Sequence, residues 1–226
     1  TWDIVYSVSS ASLALALGLV LGNVIQGIAI DGDYIFRGSL LDFFNPYAIL
    51  ISVTALALFM MHGAIYLVMK TEDRLFTRLT ILTKNTTIFF VVTFGITTVA
   101  TLLFIPHMIE RYKELPWLFV VPVLAILAVA NITRQVAKRN YLFAFISSSV
   151  VISLLMVMVT VGIFPNIILS SIDEAYNLTV HNSSATSKSL GIMLIFVAIG
   201  VPLVATYTSF VFYTFRGKVK LDEQSY

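Results

Sequence analysis

The chain has 226 residues, of which 58% are hydrophobic and 12% charged, with a net charge of +2. A soluble domain has about 45–50% apolar and about 25% charged residues, so the excess apolar surface predicts contact with lipid. The near-neutral charge gives no electrostatic footprint for nucleic acid. The chain also contains no cysteine, which excludes disulfides, thiolate metal sites and thiol nucleophiles.

Six apolar stretches are long enough to cross the roughly 30 Å hydrocarbon core of a bilayer as helices. They cover residues 4–30, 47–69, 81–105, 117–133, 141–168 and 190–215. The segments between them are too short to form a second domain. We therefore expect residues 1–226 to form one all-α domain, a polytopic transmembrane bundle of about six helices.

The distribution of lysine and arginine predicts the orientation of these spans, because cytoplasmic loops carry an excess of both. Basic residues cluster after the second, fourth and sixth spans, whereas the alternate loops hold only Arg37, Arg111, Lys113 and Lys188. We therefore expect a multi-pass protein of the cell (cytoplasmic) membrane with both ends in the cytoplasm. The clustered residues are Lys70, Arg74, Arg78, Lys84, Arg134, Lys138, Arg139, Arg216, Lys218 and Lys220.

The carboxylates all lie in loops, at span ends or in the C-terminal tail. Proton-coupled transporters usually need an ionisable group at membrane depth, where a proton can rest between the two aqueous phases. The placement of the acidic residues therefore counts against a transporter that works alone.

His62 is the one titratable residue that falls clearly inside a predicted span. An imidazole there can ligate a haem iron, relay a proton or contact a quinone head group, or it can simply hydrogen-bond to a neighbouring helix. The packing role is favoured, because no second buried ligand accompanies it. His107 is expected to cap a span end and His181 to be solvated, and the sequence predicts neither a catalytic residue nor a metal site.

Two further patterns predict contacts between helices. Gly18 and Gly22 have the small-xxx-small spacing that lets two helices approach closely. The serines at 147–149 fit close packing or hydrogen bonds to a neighbouring span.

Several short motifs occur in one order along the chain: GNVIQG at 22–27, FNPYAIL at 44–50, HGAIYLVMKTE at 62–72, FPN at 164–166, NLTVHN at 177–182 and FRGKV at 215–219. Together they resemble subunit II of the cytochrome bd-type quinol oxidases. The family chain is longer by about three helices at its N-terminus, so the resemblance implies that this sequence corresponds to its C-terminal two-thirds.

The resemblance implies a heterodimeric terminal oxidase that oxidises quinol and reduces O₂ to water. Haems b and d and the main quinol-oxidation loop would belong to the partner, subunit I, while this chain would be a non-haem scaffold. The resemblance further implies a structural quinone, part of a proton path, lipid contacts and a small third subunit. Asp42 and His62 lie in family-like segments and are the candidates for a quinone or proton-path role.

Three functions are consistent with the sequence. The first is the scaffold subunit of a quinol-oxidising, O₂-reducing complex, a chain that is not catalytic alone. The alternative is a secondary transporter or permease for a small solute. The third is a membrane assembly factor without turnover.

Overall fold

The computed structural model describes residues 2–217, so Lys218 and Lys220 of the predicted basic cluster lie outside the described residues. Six helices within 2–217 are long and apolar enough to span a membrane, which confirms the predicted all-α polytopic fold. The helices are α1 (Trp2–Gln26), α2 (Pro46–Lys70), α3 (Asp73–Phe104), α4 (His107–Glu114), α5 (Val120–Ala137), α6 (Tyr141–Ile163) and α7 (Ser187–Thr214). A two-stranded antiparallel hairpin, β1 (Asn166–Ile168) and β2 (Leu178–Thr179), connects α6 to α7.

The long helices alternate in direction, so the bundle has two distinct ends. The basic end is the one that holds the turns at residues 71–72 and 138–140 and the C-terminus of α7. The loop end is the opposite end of the bundle. The loop end carries α4, the hairpin and the 27–45 connection, which includes a 3₁₀ turn, Leu40–Phe44. Further 3₁₀ turns occur at Pro116–Phe119 and Glu174–Tyr176.

The core of the bundle lies between α2, α3, α5 and α6. One apolar cluster joins these helices, and its fully buried members include Met61, Ile65, Phe90 and Ile132. In lipid this packing stabilises mainly through van der Waals contact, because hydrocarbon chains are as apolar as the side chains. The same four helices therefore form the rigid frame that positions the polar side chains described below.

Helix α1 packs closely against α2 through the two glycines of the small-xxx-small motif. A Cβ atom added at Gly18 would lie 2.5 Å from the Cα of Ser52, and one at Gly22 would lie 2.5 Å from the Cα of Ala48. Neither position can accept a side chain without moving backbone. The predicted close helix contact is confirmed, and its partner is α2 of the same chain.

Several predicted span limits differ from the observed helices, each for a local reason. The first helix ends at Gln26 instead of residue 30, because Gly27 adopts a positive φ of 93° that terminates it. The fifth span ends at Ile163 instead of 168, since Pro165 lacks the N–H that a continued helix needs. The third begins at Asp73, earlier than predicted, because a polar amphipathic turn precedes its apolar part.

The connection after the third span is also more ordered than predicted. Residues 107–114, predicted to lie in a loop, form the short helix α4. It buries Met108 and Tyr112 and exposes Glu110, Lys113 and Glu114. This distribution is typical of a helix that lies along the interface between hydrocarbon and water.

Helix α7 differs from the other spans, because none of its residues is buried. It meets α2 near the basic end, where the Phe212 ring stands edge-on to Tyr66 with centroids 6.5 Å apart. Just beyond its last turn, the Lys70 ammonium donates a 3.2 Å hydrogen bond to the carbonyl of Phe215.

Candidate functional site

His62 lies on α2 two turns before the basic end and is held by α6. Its Nδ1 atom is 2.7 Å from the hydroxyl oxygen of Ser148, which is fully buried. The Ser148 hydroxyl donates its single hydrogen to the carbonyl of Phe145, at 2.8 Å. It can therefore only accept from His62, so the arrangement favours the tautomer with hydrogen on Nδ1. The Nε2 lone pair then remains available as an acceptor.

Aromatic rings continue from His62 toward the basic end. The imidazole stacks on Phe145 with ring centroids 4.7 Å apart and an interplanar angle of 27°. Phe145 also contacts Tyr66 at 5.7 Å, and the Lys70 ammonium lies 5.9 Å from the Tyr66 ring centre. We call His62, Phe145, Tyr66 and Lys70, together with Phe212 of α7, the His62 strip. It presents a half-buried imidazole, flat rings and a terminal cation on one side of the bundle.

A second polar contact crosses from α6 to α5 beside the His62 strip. The Ser147 hydroxyl accepts a 2.8 Å hydrogen bond from the Asn131 amide, and the Gln135 amide donates to Asn131 at 3.2 Å. Ser147 and Ser148 therefore join α6 to different helices, α5 and α2. This confirms the prediction that the serine run supports contacts between helices.

Asp42 lies far from His62. It is exposed in the 3₁₀ turn Leu40–Phe44, where its Oδ2 accepts a 2.6 Å hydrogen bond from the Ser39 amide and completes a capping box. The part of α2 between Pro46 and His62 alone spans about 24 Å at 1.5 Å per residue. The structure thus places Asp42 before the start of α2 and His62 two turns from the other end of that helix, so the two candidate residues do not form one site.

The loop end contains polar residues whose roles were not predicted from the sequence. The Asn23 amide donates to the carbonyl of Phe43 at 2.8 Å, and its oxygen accepts from Asn45 at 3.0 Å. Asn45 in turn caps α2 by accepting from the amide of Ala48 at 2.7 Å. Both asparagines lie at helix ends, within the GNVIQG and FNPYAIL motifs. Asparagine is a preferred capping residue, so its position at a predicted span end is the signal that could have identified them.

The 27–45 connection is joined to the hairpin region by main-chain and side-chain bonds. The Ile28 amide donates to the carbonyl of Leu169 at 2.9 Å, and the Ser170 hydroxyl donates to that of Ile30 at 2.7 Å. Asn177 accepts from the Ser170 amide at 2.7 Å. The polar residues of the NLTVHN motif thus help to fold the loop end.

Asp31 organises the turn that follows α1. Its carboxylate accepts hydrogen bonds from the backbone amides of Ile35 and Asp33 and pairs with Arg37. The amide of Ile35, followed by the Arg37 side chain, lowers the pKa of Asp31 below its ordinary value. These contacts favour the ionised form of the Asp31 carboxyl group.

The three histidines do not converge on a common point. The Nε2 atom of His107 lies 2.8 Å from the carbonyl of Ile25 at the loop end, and His181 is exposed in the connection before α7. Within residues 2–217 no group of three or more His, Asp or Glu side chains has the geometry to hold a metal ion. His62 and His107 thus have separate hydrogen-bond partners, and the described residues do not bring the two histidines together.

The chain is similar to several subunits of bacterial oxidases. It is 26% identical over 228 residues to the cytochrome bd ubiquinol oxidase subunit 2 of Bacillus subtilis, covering 98% of this chain and 65% of the relative. It is 26% identical over 225 residues to a probable cytochrome oxidase subunit 2 of Haemophilus influenzae, covering 86% of this chain and 59% of that protein. The cytochrome bd-I ubiquinol oxidase subunit 2 of Escherichia coli K12 is 20% identical over 254 residues, covering 98% of this chain and 66% of that one.

The chain thus spans about three fifths to two thirds of the length of these relatives. The sequence profile described as cytochrome bd terminal oxidase subunit II matches residues 1–215, nearly the whole chain. The chain belongs to the cytochrome bd terminal oxidase subunit II family.

Proposed function

We propose that this chain is the non-haem scaffold subunit of a membrane terminal oxidase that oxidises quinol and reduces O₂ to water. The observation that carries the proposal is the family match over residues 1–215. Three relatives named as ubiquinol or cytochrome oxidase subunits support it. The chain would contribute to catalysis as part of a quinol:O₂ oxidoreductase complex and would have no turnover alone. The comparisons lend no support to the transporter alternative.

In this proposal haems b and d are bound by the partner, subunit I. The arrangement of the histidines supports that assignment, because His62 donates to Ser148 while His107 is engaged with Ile25 at the other end of the bundle. When bound in the partner, the haems supply the electron transfer and O₂ chemistry. The described residues of this chain supply a packed apolar frame whose helices are also joined by hydrogen bonds such as His62–Ser148 and Asn131–Ser147. Such a frame is suited to holding a neighbouring membrane subunit in place.

Co-expression tests this function directly. The full-length chain should purify together with a haem-bearing subunit, and the complex should consume O₂ when quinol is added. The control is the partner expressed without this chain, which should give less assembled haem protein and little oxygen uptake. A chain that purifies without a chromophore and moves a solute across vesicles would contradict the proposal.

We also propose that the His62 strip is a contact site for a structural quinone. The supporting observation is a half-buried imidazole whose Nε2 makes no hydrogen bond to any residue between 2 and 217, stacked on an aromatic ring. A quinone carbonyl accepts hydrogen bonds, so it would need the tautomer with hydrogen on Nε2, which requires the Ser148 hydroxyl to reorient toward Nδ1. Asp42 has no part in this contact, because it lies at the loop end.

Quinone extraction from the purified complex tests the second proposal. His62→Ala should lower the quinone retained per complex, whereas His107→Ala should leave it unchanged, because His107 bonds to Ile25 at the opposite end. Equal retention by both variants would remove His62 from any quinone contact.

A further inference from the structure

A cleft opens at the loop end between α4, the end of α6 and the start of the hairpin. Its volume is about 200 Å³. A small polar head group is of this size. The cleft is lined by His107, Glu110, Arg111, Glu114, Phe164 and Asn166, among others.

The charged groups of the cleft include one guanidinium and two carboxylates. Arg111 bonds to Glu114 through Nη1 at 2.9 Å and lies over the Phe164 ring with its central carbon 5.7 Å from the ring centre. A guanidinium has five N–H donors, so most of those of Arg111 remain free for a phosphate. Glu110 forms no ion pair with any other residue in the 2–217 range. The cleft can therefore bind an anionic and a cationic group together.

The cleft lies at the depth where hydrocarbon meets water. The apolar helix α3 ends at Phe104 just before α4, and α6 ends at Ile163 beside the cleft. Trp117, which follows α4, is 68% exposed, as is typical of the aromatic belt at the membrane interface. A molecule that binds here is at the level of lipid head groups.

An exposed stripe on α6 leads from the cleft into the membrane. Val157 and Thr160 lie three residues apart on α6 and share one face, and Phe164 follows directly after the end of the helix. All three are exposed, and Phe164 is the residue that supports Arg111. The stripe offers an acyl chain a path along α6 from the cleft.

We propose that the cleft binds the head group of a zwitterionic phospholipid with a primary ammonium, of the phosphatidylethanolamine class. The phosphate receives hydrogen bonds from the free donors of Arg111, and the ammonium pairs with Glu110. One acyl chain lies on the α6 stripe. An anionic head group such as phosphatidylglycerol is disfavoured, because the carboxylates of the cleft outnumber its cation.

Lipid retention by the full-length protein in its native complex tests this proposal. The complex is stripped in detergent and offered equal amounts of phosphatidylethanolamine and phosphatidylglycerol, and the bound lipids are counted by native mass spectrometry. The wild type should retain phosphatidylethanolamine about tenfold better at its tightest site, the ratio expected from one charge-assisted hydrogen bond. Glu110→Gln should abolish that preference, and Arg111→Gln should weaken retention of both lipids.

Two matched controls make the result specific. Lys113→Gln changes one charge on the exposed side of α4 outside the cleft, and it should alter neither retention nor preference. Arg111→Lys keeps the charge and should retain lipid better than Arg111→Gln, which separates loss of charge from misfolding. Equal retention of the two lipids by the wild type, or an effect of Lys113→Gln as large as that of Glu110→Gln, would overturn the proposal. Displacement of the lipid by equimolar soluble phosphoethanolamine would overturn the lipid assignment in favour of a solute site.

Discussion

The hydroxyl oxygens of Thr54 on α2 and Thr97 on α3 lie 2.7 Å apart inside the bundle. Thr54 also donates to the carbonyl of Leu50 on its own helix at 2.9 Å, so Thr97 must be the donor in the contact between the helices. Thr83, on the same inward side of α3, is fully buried, but its hydroxyl has no hydrogen-bond partner within the described residues. We therefore expect Thr97 and Thr83, two threonines of one helix, to make opposite contributions to stability.

Replacement of each threonine by the isosteric valine measures this difference. Thr97→Val should destabilise the protein by about 0.5–1 kcal/mol, the usual size of a hydrogen bond between membrane helices. Thr83→Val should leave the free energy of unfolding unchanged or raise it by up to about 1 kcal/mol, because it removes a desolvated hydroxyl without a partner. Unfolding of the purified protein in mixed micelles measures both. A larger loss for Thr83→Val than for Thr97→Val would contradict the assignment.

The contact between α1 and α2 predicts the effects of glycine substitutions. Gly22→Ala should destabilise by about 1–3 kcal/mol, since the new Cβ would lie 2.5 Å from the Cα of Ala48. Gly95→Ala is the matched control, because a Cβ there meets no atom within 4 Å. It should stabilise by about 0.5–1 kcal/mol through helix propensity. Thermal unfolding in detergent compares the two variants, and equal effects would show that the α1–α2 contact does not form.

The predicted orientation can be tested by labelling, since the chain has no cysteine of its own. Ser184→Cys, in the exposed connection before α7, should react with an impermeant maleimide added outside intact cells. Thr77→Cys, exposed near the start of α3, should react only after the membrane is opened. The reverse pattern would place the basic end outside and refute the orientation drawn from lysine and arginine.

The proposed location of the haems predicts the spectrum of a His62 variant. His62→Ala should leave all haem absorption bands of the assembled complex in place, because the imidazole bonds to Ser148 and no second histidine approaches it. Ser148→Ala serves as a control that disturbs the same contact without removing the imidazole. Loss of one haem band from an assembled His62→Ala complex would show that this chain ligates a haem.

Much of the architecture could be predicted from the sequence, because long apolar runs and basic turns have few structural alternatives in a membrane. The ends of the helices were less predictable. Gly27 and Pro165 terminate α1 and α6 inside apolar runs, and hydropathy averaged over a span does not register a single backbone-breaking residue. Helix α4 was missed because its polar residues resemble a loop when only apolar length is counted.

The candidate site was harder to predict for a different reason. His62 was identifiable as the histidine inside a span, but its partner Ser148 lies 86 residues away in sequence. Only the packing of α2 against α6 reveals that contact. Asp42 was selected from a family-like segment, and the structure gives it a local capping role that depends on the turn conformation of its neighbours.

The single-ended attachment of α7 has a mechanical consequence. The contacts with Tyr66 and Lys70 lie near one membrane face, and the helix extends from them for about 40 Å, the length of 28 residues at 1.5 Å each. A rotation of about 10° about those contacts would displace the far end by about 7 Å. That far end is continuous, through residues 180–186, with the hairpin that joins the loop-end connections. By geometry alone, a small tilt about those contacts would correspond to a several-fold larger displacement at the other face of the membrane, so contacts made by the far end of α7 are decisive for its position.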